Sequence, residues 1–410
     1  MAITLLQTPD VHNPVYNPLN YLLSSTNTAQ ANFKYICDVY IDGAASYTYR
    51  LTKSADPDFG RGHFDIHNSL QEYVTGKYIS KSDDGFEKCD EGHVHYICKF
   101  GEQYGPSSGV TNYTNLTVDS TRHVWQGYVE PLPFISYNDL NYTAQPSGSF
   151  RFLTEAPNNM FVRSDEDRWL HMISCATNGI TGMTIITYNS AGAILQTVAV
   201  TNNFASIGAG QEDRHLLRFP AGNNMNDIAG ADITAGAQPI ITASVAKYTL
   251  SVRSTLSLAS SGTTTYRIDD GCSKFTKYTL TWRNQLGGFD TKSFILQSKK
   301  KVNVKRDSYK KVIGTLASTS FTYASTDRAD TVYNVGLDDE ITINSDWMAD
   351  NEQQYLEQLV TSPEVYHDDD TYGLVSISIK DTFFDQKKRE NDKLINMTVT
   401  FSYAVSRYRK

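Results

Sequence analysis

The sequence has no long apolar run and no leader-like beginning. No stretch approaches the ~20 consecutive apolar residues that a membrane helix requires. Residues 1–10 carry no basic flank and only a short apolar run, so we expect no standard signal peptide. We therefore predict no membrane insertion, and we expect the protein to stay in the cytoplasm where it is made unless a larger particle carries it out.

Cysteine is scarce as well. The five cysteines are odd in number and scattered, and no Cys-x-x-Cys pair occurs. This pattern argues against a disulfide framework and favours a reducing compartment. The nearest approach to a metal motif is Cys89-x3-His93-x-His95-x2-Cys98. In a strand both histidines would share one face and Cys98 would point to the other, so we predict an ordinary strand, with no metal and no cofactor.

Positive charge is in short supply. The chain has 37 Lys and Arg against 45 Asp and Glu, a net charge of −8, which argues against a dedicated nucleic-acid binder. No nucleophile elbow, phosphate-cradling glycine-rich loop or metalloprotease helix occurs. We therefore predict no catalytic residues and no enzyme. A carboxylate pair for glycoside hydrolysis is the alternative, because such a pair is defined in space and not along the chain.

Aromatic residues and glycine are abundant, with 26 Tyr, 18 Phe and 26 Gly in 410 residues. Aromatics favour strands and glycines favour the turns between them. The predicted fold is mainly β with a few helices, in two or three β-sandwich-like domains, each half of the chain carrying a short helix. The predicted domains are 1–145, an arm and β-rich domain; 146–236, a small sandwich and connector; and 237–410, a β-rich domain with a helix near 346–360.

Local patterns in the first half predict specific elements. The Asn- and Pro-rich segment His12–Asn20 predicts an extended arm. Two strand-like runs joined through Asp42-Gly43 predict a hairpin. A short helix is predicted within 64–74, and the polar segment 102–127 is predicted to be a long surface loop.

In the second half, alternation over Tyr278–Trp282 predicts a strand that buries Trp282. Gly287 and Gly288 are predicted to form a turn with positive φ. The helix near 346–360 is predicted to end at Ser362-Pro363, because the residue before proline disfavours helical geometry.

One basic cluster stands out in this acidic chain. It allows three interpretations: phosphate contact with DNA, a solvated strand pair, or a basic edge that docks on acidic loops of a neighbouring copy. We favour the third. The Asp368–Asp370 loop also has the carboxylates that suit calcium, but its spacing is not that of an EF-hand and a solvated turn is preferred. The interface candidates are Lys299, Lys300, Lys301, Lys305, Arg306, Lys310 and Lys311, with Asp368, Asp369 and Asp370 as the acidic partners.

Four segments that together span most of the chain carry a family resemblance. They are Asn13–Leu19 with Ser24–Thr28 and Asn32–Tyr35; Gly62–Ile66 with its short helix; Lys277–Asp290; and Trp347–Tyr366 with Asn391–Leu394 and the closing strand. Together these segments resemble tail and collar ring proteins of phages that infect Bacteroidetes, including the crAss-like phages.

The resemblance implies a virion structural protein that forms a ring or tube segment in a tail, collar or hub, without catalysis. It implies a six- or twelve-fold homo-oligomer, stacked against other virion proteins such as the portal, the tail hub or neighbouring rings. Genomic DNA would pass through the channel without sequence-specific binding, and assembly would occur in the host cytoplasm. The alternatives are a host-binding fibre or adhesin-type tail protein, or a glycan-degrading tail enzyme. A fibre would trimerise around an elongated repetitive shaft, for which the sequence has no matching repeat.

Overall fold

The computed structural model divides the chain into two compact units. Unit 1 comprises residues 1–270 and 283–290, and unit 2 comprises residues 271–282 and 291–410. The structure describes residues 3–76, 85–143, 150–174, 179–204, 215–254, 262–271, 274–345, 348–349, 352–369, 371–381, 387–388, 394–405 and 407–409.

Strands dominate both units, and the described helices are short. The predicted mainly β fold, with a short helix in each half, is therefore confirmed. No helix in the described ranges is long and apolar enough to cross a membrane. The α-helices are α1 (His67–Leu70), α2 (Pro131–Phe134) and α3 (Gln353–Thr361), and the 3-10 helices are Gln71–Tyr73, Asp90–Gly92, Asp139–Asn141 and Asn223–Asp227.

Unit 1 begins with two sheets that share one hydrophobic core. Tyr21 and Phe64 from the smaller sheet join Cys37, Tyr96 and Phe100 from the larger, and all five are fully buried. The smaller sheet has the order β1 (Ile3–Gln7), β3 (Asn20–Ser25), β6 (Arg61–Asp65). The larger has the order β2 (His12–Pro14), β10 (Arg122–Trp125), β8 (His93–Tyr104), β4 (Lys34–Ile41), β5 (Tyr49–Ser54), with β9 (Thr111–Val118) also paired to β8.

Two predictions in this region are wrong. The segment predicted as an extended arm is built into the larger sheet, because β2 pairs in parallel with β10. The segment 102–127 is not a long loop, since most of it lies in the ends of β8, in β9 and in β10. The polar Thr and Asn residues of β9 conceal the strand, because that strand is mostly exposed and needs no apolar alternation.

Other local predictions hold. β4 and β5 pair as a hairpin, and its turn places Asp42 and Gly43 at φ +49° and +70°. The helix α1 forms within the predicted span, and Asp65 accepts a hydrogen bond from the backbone N–H of His67 at its start. Turn chemistry and a short apolar face were therefore sufficient signals here.

The remainder of unit 1 contains two further sheets. The six-stranded sheet has the order β11 (Asn159–Val162), β18 (Thr263–Ile268), β17 (Lys247–Ser254), β13 (Ile180–Tyr188), β14 (Ile194–Thr201), β16 (Ile233–Ala235). The three-stranded sheet has the order β12 (Trp169–Ser174), β15 (His215–Pro220), β7 (Glu87–Lys88).

These sheets join segments from both sides of the predicted boundaries at 145/146 and 236/237. β7 pairs with β15, and the buried Arg218 donates from Nε to Glu87 Oε2 at 2.6 Å. β11 pairs in parallel with β18. The limits of the two compact units therefore differ from the three predicted domains, because pairing between distant segments leaves no local signal.

Unit 2 is built on one large sheet. Its order is β20 (Phe289–Phe294), β19 (Tyr278–Arg283), β26 (Val365–Asp369), β27 (Gly373–Ile379), β30 (Thr398–Tyr403), β24 (Asp330–Asn344), β21 (Lys299–Lys310), with β31 (Arg407–Arg409) also paired to β24. The smaller sheets are β22 (Thr315–Leu316) with β23 (Phe321–Thr322), and β25 (Met348–Ala349), β29 (Leu394–Asn396), β28 (Lys387–Lys388).

The core of unit 2 lies between the large sheet and α3. Trp282 is fully buried, as predicted, and its ring lies 4.9 Å from that of Tyr355. The helix begins at Gln353, later than predicted, because residues 330–344 and 348–349 are in strands. It ends at Thr361 with Ser362 as its extended C-cap, so the predicted stop at Ser362-Pro363 is confirmed, whereas Trp347 lies outside the described residues.

The predicted glycine turn is half right. Gly287 has φ +89°, and a Cβ there would lie 1.5 Å from the carbonyl oxygen of Gln126. Gly288 does not have positive φ. A Cβ on it would lie 2.6 Å from the carbonyl oxygen of Leu153, so close approach and not backbone conformation requires glycine there.

Candidate assembly surface

The basic cluster lies on a long β-hairpin of unit 2. β21 and β24 pair in antiparallel register from Lys299 opposite Thr342 to Lys310 opposite Asp330, with a bulge between Asp307 and Ser308. At about 3.3 Å per residue, the paired region is about 40 Å long. The short pair β22–β23 continues the hairpin beyond β21. We call residues 299–344 the hairpin.

Most of the hairpin has no residue that is buried within its own chain. No residue from 299 to 338 is buried, and burial resumes only at Asp339 and Ile341. A two-stranded ribbon of this kind is marginally stable on its own in water. Its structure is therefore anchored at one end, where β24 enters the core of unit 2.

β21 is also the edge strand of its sheet. In the described part of the chain it pairs only with β24, so the backbone N–H and C=O groups along its outer side have no strand partner. The opposite edge is different, because the hydroxyl of Tyr355 on α3 donates to the carbonyl oxygen of Thr291 on β20 at 2.5 Å. An open edge strand is a template for pairing with another chain.

The exposed surface of the hairpin is unusually apolar. Large apolar side chains normally occur singly on the surface of a monomer, and a cluster of them marks an interaction site. Val312 is 83% exposed and Leu316 79%, so these side chains are almost fully in solvent. The exposed large apolar side chains of the hairpin are Val302, Val304, Tyr309, Val312, Ile313, Leu316, Phe321, Tyr323, Val332 and Tyr333.

The basic residues divide into two groups. Near the base, Lys300 Nζ lies 3.3 Å from Asp339 Oδ2, and Lys301 Nζ lies 3.4 Å from Glu340 Oε2. The hydrogen bond from Asn303, followed by the charge of Lys301, lowers the pKa of Glu340. These two lysines therefore have partners in their own hairpin, across the strand pair.

Further out, the basic side chains have no such partners. Lys305, Arg306, Lys310 and Lys311 are all exposed and form no ion pair within the described ranges. The distal hairpin therefore combines unpaired positive charge with exposed apolar side chains.

The acidic candidates lie elsewhere on the sheet. Asp368 and Asp369 end β26, which is four strands away from β21, or about 19 Å at 4.7–4.9 Å per strand. Asp369 Oδ1 accepts the N–H groups of Thr371 and Tyr372 at 2.9 and 3.0 Å, and these bonds lower the pKa of Asp369. Asp370 lies outside the described residues. The strand order therefore places Asp369 four strands away from the basic strand β21 of the same copy.

The candidate metal motif follows the period of a strand. On β8, His93 and His95 are half-buried on one face, while Cys98 is buried in the core on the other, beside Cys37. In the described part of the chain, no three His, Cys, Asp or Glu side chains are grouped so as to hold a metal ion.

Two buried titratable groups have large pKa shifts. Burial raises the pKa of Asp290 to about 6, although hydrogen bonds from Thr154 and Asn284 partly offset this. Burial lowers the pKa of His171 to about 3, and the charge of Arg218 adds to this. Both groups have structural partners, since His171 Nδ1 accepts the backbone N–H of Phe289 at 3.2 Å.

Sequence reasoning found the basic residues but missed the apolar ones beside them. The sequence signal that could have indicated these apolar residues was the alternation of Val302 and Val304 with charged residues on one predicted strand. No protein-family model matches the chain, and no curated protein matches it.

Proposed function

We propose that this protein is a virion structural subunit that forms a ring or tube segment in a bacteriophage tail, collar or hub, around the DNA channel, and that it is not an enzyme. The observation that carries the proposal is the hairpin, an anchored ribbon whose outer part has no core of its own. In a closed ring each copy presents one surface to a different surface of the next, and an exposed apolar hairpin with an open edge suits that role.

Burial against a neighbouring copy would account for the composition of the hairpin. Removing Val312, Leu316 and Tyr323 from water would be favourable by about 25 cal/mol per Å² of apolar surface. The unpaired basic side chains would set register and exclude wrong partners, since complementary charge contributes more to specificity than to affinity. On this proposal the basic residues lie at a contact between subunits and not on DNA.

The remaining parts of the proposal follow from the resemblance. The ring would have six or twelve copies and would stack against other virion proteins such as the portal, the tail hub or neighbouring rings. Genomic DNA would pass through without sequence-specific contacts, no part of the protein would insert into a membrane, and the virion would be its final location. Class-averaged electron micrographs of the intact particle would count the copies, and a trimer or a two-fold dimer would contradict the ring.

A matched pair of variants tests the role of the hairpin. The first carries Val312→Ser, Leu316→Ser and Tyr323→Ser, which are 83%, 79% and 73% exposed. The control carries Ile135→Ser, Phe59→Ser and Tyr372→Ser, which lie outside the hairpin and are 83%, 79% and 81% exposed. Both variants should fold, because exposed substitutions change stability by only about 0.5 kcal/mol each.

Incorporation into particles is the measurement. We expect the control to be incorporated like the wild type and the hairpin variant to be left out. Equal incorporation of both variants, or equal loss of both, would contradict a special role for the hairpin.

A further inference from the structure

The hairpin has one apolar face and one polar face, and strand register decides which residues lie on each. Residues directly opposite each other on paired strands lie on the same face of a sheet. Val304 lies opposite Leu337, and the next pair outward on that face is Arg306 with Val335. Val302 is two residues before Val304 and shares its face. We call Val302, Val304, Val335 and Leu337 the apolar face.

The other face of the hairpin is polar, and its side chains bond to one another. Asn303 Nδ2 donates to Glu340 Oε2 at 2.8 Å, and Asn334 Nδ2 donates to Asp307 Oδ2 at 2.9 Å. A polar cleft of about 630 Å³ adjoins this face, and Ser378 of β27 lines part of its wall. Since its polar groups are matched to one another or face water, this side of the hairpin needs no cover.

The apolar face continues the core side of the large sheet. Leu337 lies on the same side of β24 as Ile341, because the two are four residues apart on one strand. Ile341 is buried, and cross-strand pairs connect it through the sheet to Trp282, over which α3 packs. The buried side chains that these pairs place on one side of the sheet are Trp282, Val365, Ile377, Phe401 and Ile341.

The cover over this side ends before the hairpin does. Asp339 is the last buried residue on β24 going outward, and in the described part of the chain Leu337 and Val335 are only half-buried. Across from them, Val302 and Val304 are 47% and 42% exposed. Apolar surface left in water is unfavourable, and a continuous patch of it marks an interaction site. The apolar face is therefore a strip of core surface that lacks a cover.

Charge indicates which partner fits this strip. β21 carries six basic residues and one acidic residue, whereas the rest of the chain has 31 basic and 44 acidic residues, a net charge of −13. On the apolar face, Lys300 Nζ lies 3.3 Å from Asp339 Oδ2, while Arg306 forms no ion pair within the described residues. An acidic second copy of this chain complements the strip, whereas two identical strips would bring basic strands together.

We propose that the apolar face of the hairpin packs against a second copy of this chain, with Arg306 at one of its carboxylates, while the polar face and its cleft stay in water. This inference rests on the proposed function, and it adds which side of the hairpin forms the contact. The side is specified by register, because a slip of one residue would turn the valines of β21 to the wet face.

Cysteine labelling tests which face is covered. Val302→Cys and Val304→Cys report on the apolar face, whereas Asn303→Cys and Asp338→Cys report on the polar face of the same strand pair. Each variant is treated with N-ethylmaleimide as the isolated chain and in the intact particle, and labelling is quantified on the peptide that carries the new cysteine. We expect assembly to slow labelling at least about tenfold on the apolar face and less than about twofold on the polar face.

The outcomes separate this inference from the ring. Equal protection of both faces, or protection of the polar face alone, would overturn the inference and leave the ring in place. Protection of the apolar face in particles whose micrographs show no closed ring would support the inference and contradict the ring. If no position is protected, the hairpin is not a contact and both proposals fail. Two positions on each face keep the comparison usable if one variant does not fold.

Zero-length crosslinking tests the partner. Arg306→Lys keeps the charge and supplies an amine, which a carbodiimide joins to a carboxylate in direct contact with it. In intact particles we expect a covalent dimer of the chain, in which mass spectrometry links residue 306 to an Asp or Glu of a second copy. A link to a different virion protein, links within one chain only, or no link from residue 306 would overturn the assignment of the partner.

Discussion

Two strands of equal length, β8 and β21, have opposite environments. β8 (His93–Tyr104) is central in its sheet, pairs with β4, β9 and β10, and buries alternate side chains. β21 (Lys299–Lys310) pairs with β24 alone and buries none. β8 is thus stabilised within its own chain, whereas β21 has one side and both faces available to a partner.

The two strands differ in the interactions that fix their register with neighbouring strands. On β8 the residues Tyr96, Cys98 and Phe100 enter a core, so burial specifies both face and register. On β21 the register depends on cross-strand pairs such as Lys301 with Glu340, each worth about 0.2–1 kcal/mol. Because β21 has so little stabilisation within its own chain, we expect it to be stabilised further when a partner binds.

The largest expected effect is on the stability of the chain, from a substitution at Trp282, which is buried in the same sheet that carries β21. Trp282→Ala should lower the free energy of unfolding by about 3–5 kcal/mol, because it leaves a cavity against Tyr355. Urea denaturation of the purified protein would measure this. An unchanged midpoint would show that the whole sheet of unit 2, and not only its hairpin, is weakly packed.

The next largest effect is the pH dependence of stability that a buried carboxyl group produces and an exposed one does not. The pKa of Asp290 rises from its ordinary 3.8 to about 6, so its folded form binds a proton more tightly than its unfolded form. Its contribution to stability is present below pH ~4 and falls by about 3 kcal/mol as the pH rises to ~7.

Asp290→Asn should remove this dependence of stability on pH. The difference in unfolding free energy between wild type and variant should therefore change by about 3 kcal/mol between pH 4 and 7. Asp338→Asn, on β24 beside β21, is the matched exposed control. A difference that does not change with pH would mean that the Asp290 carboxyl is hydrated.

A smaller effect is expected from reversing charge on the distal hairpin. Lys305→Glu, Arg306→Glu and Lys310→Glu together should leave the monomer folded but weaken assembly, and high salt should weaken the wild-type assembly. These positions are preferable to Lys299–Lys301, because Lys300 and Lys301 already pair with Asp339 and Glu340.

The control for this triple variant has the same change in net charge. Lys34→Glu, Lys53→Glu and Lys274→Glu alter three exposed lysines outside the hairpin. Size-exclusion chromatography with light scattering, and incorporation into particles, would compare the two. If the distal side chains instead point into the channel of the ring, more than about one Debye length (~10 Å) from any neighbouring copy, the DNA interpretation replaces the contact.

The smallest effect is expected from single truncations on β21. Val304→Ala or Tyr309→Ala should change the stability of the isolated chain by less than about 0.5 kcal/mol, since both side chains are about half exposed. A loss of 2 kcal/mol or more in the isolated chain would break the comparison with β8, because it would show burial within the chain.

The comparison also explains what could be predicted from the sequence. Alternation around Trp282, the Asp42-Gly43 turn and the Ser362-Pro363 stop are local signals, and each predicted its element correctly. The arm at His12 was mispredicted because its burial depends on β10, which follows in the chain after four other strands of the sheet. Composition alone could not reveal that partner.

From the sequence, only the charged part of the candidate surface could be predicted, and its exposed apolar part could not. Charge is visible in a sequence, so the run from Lys299 to Lys311 was identified. Exposure is not visible, and Val302, Val304 and Tyr309 have the same residue types as a buried strand. The valines of β21 are exposed because the hairpin extends beyond the part of the sheet that packs against a core.

The two edges of the large sheet have a consequence for polymerisation. At β20, α3 is tied on by the Tyr355 hydroxyl and by an ion pair between Lys292 and Glu352 at 3.0 Å. A sheet that is open at both edges can add copies indefinitely, as in cross-β fibres. α3 occupies the carbonyl oxygen of Thr291 on β20, so we expect edge-to-edge addition to be hindered there and to stop after one step at β21. A closed ring would then require β21 to be received by a surface of the next copy other than the far edge of the same sheet.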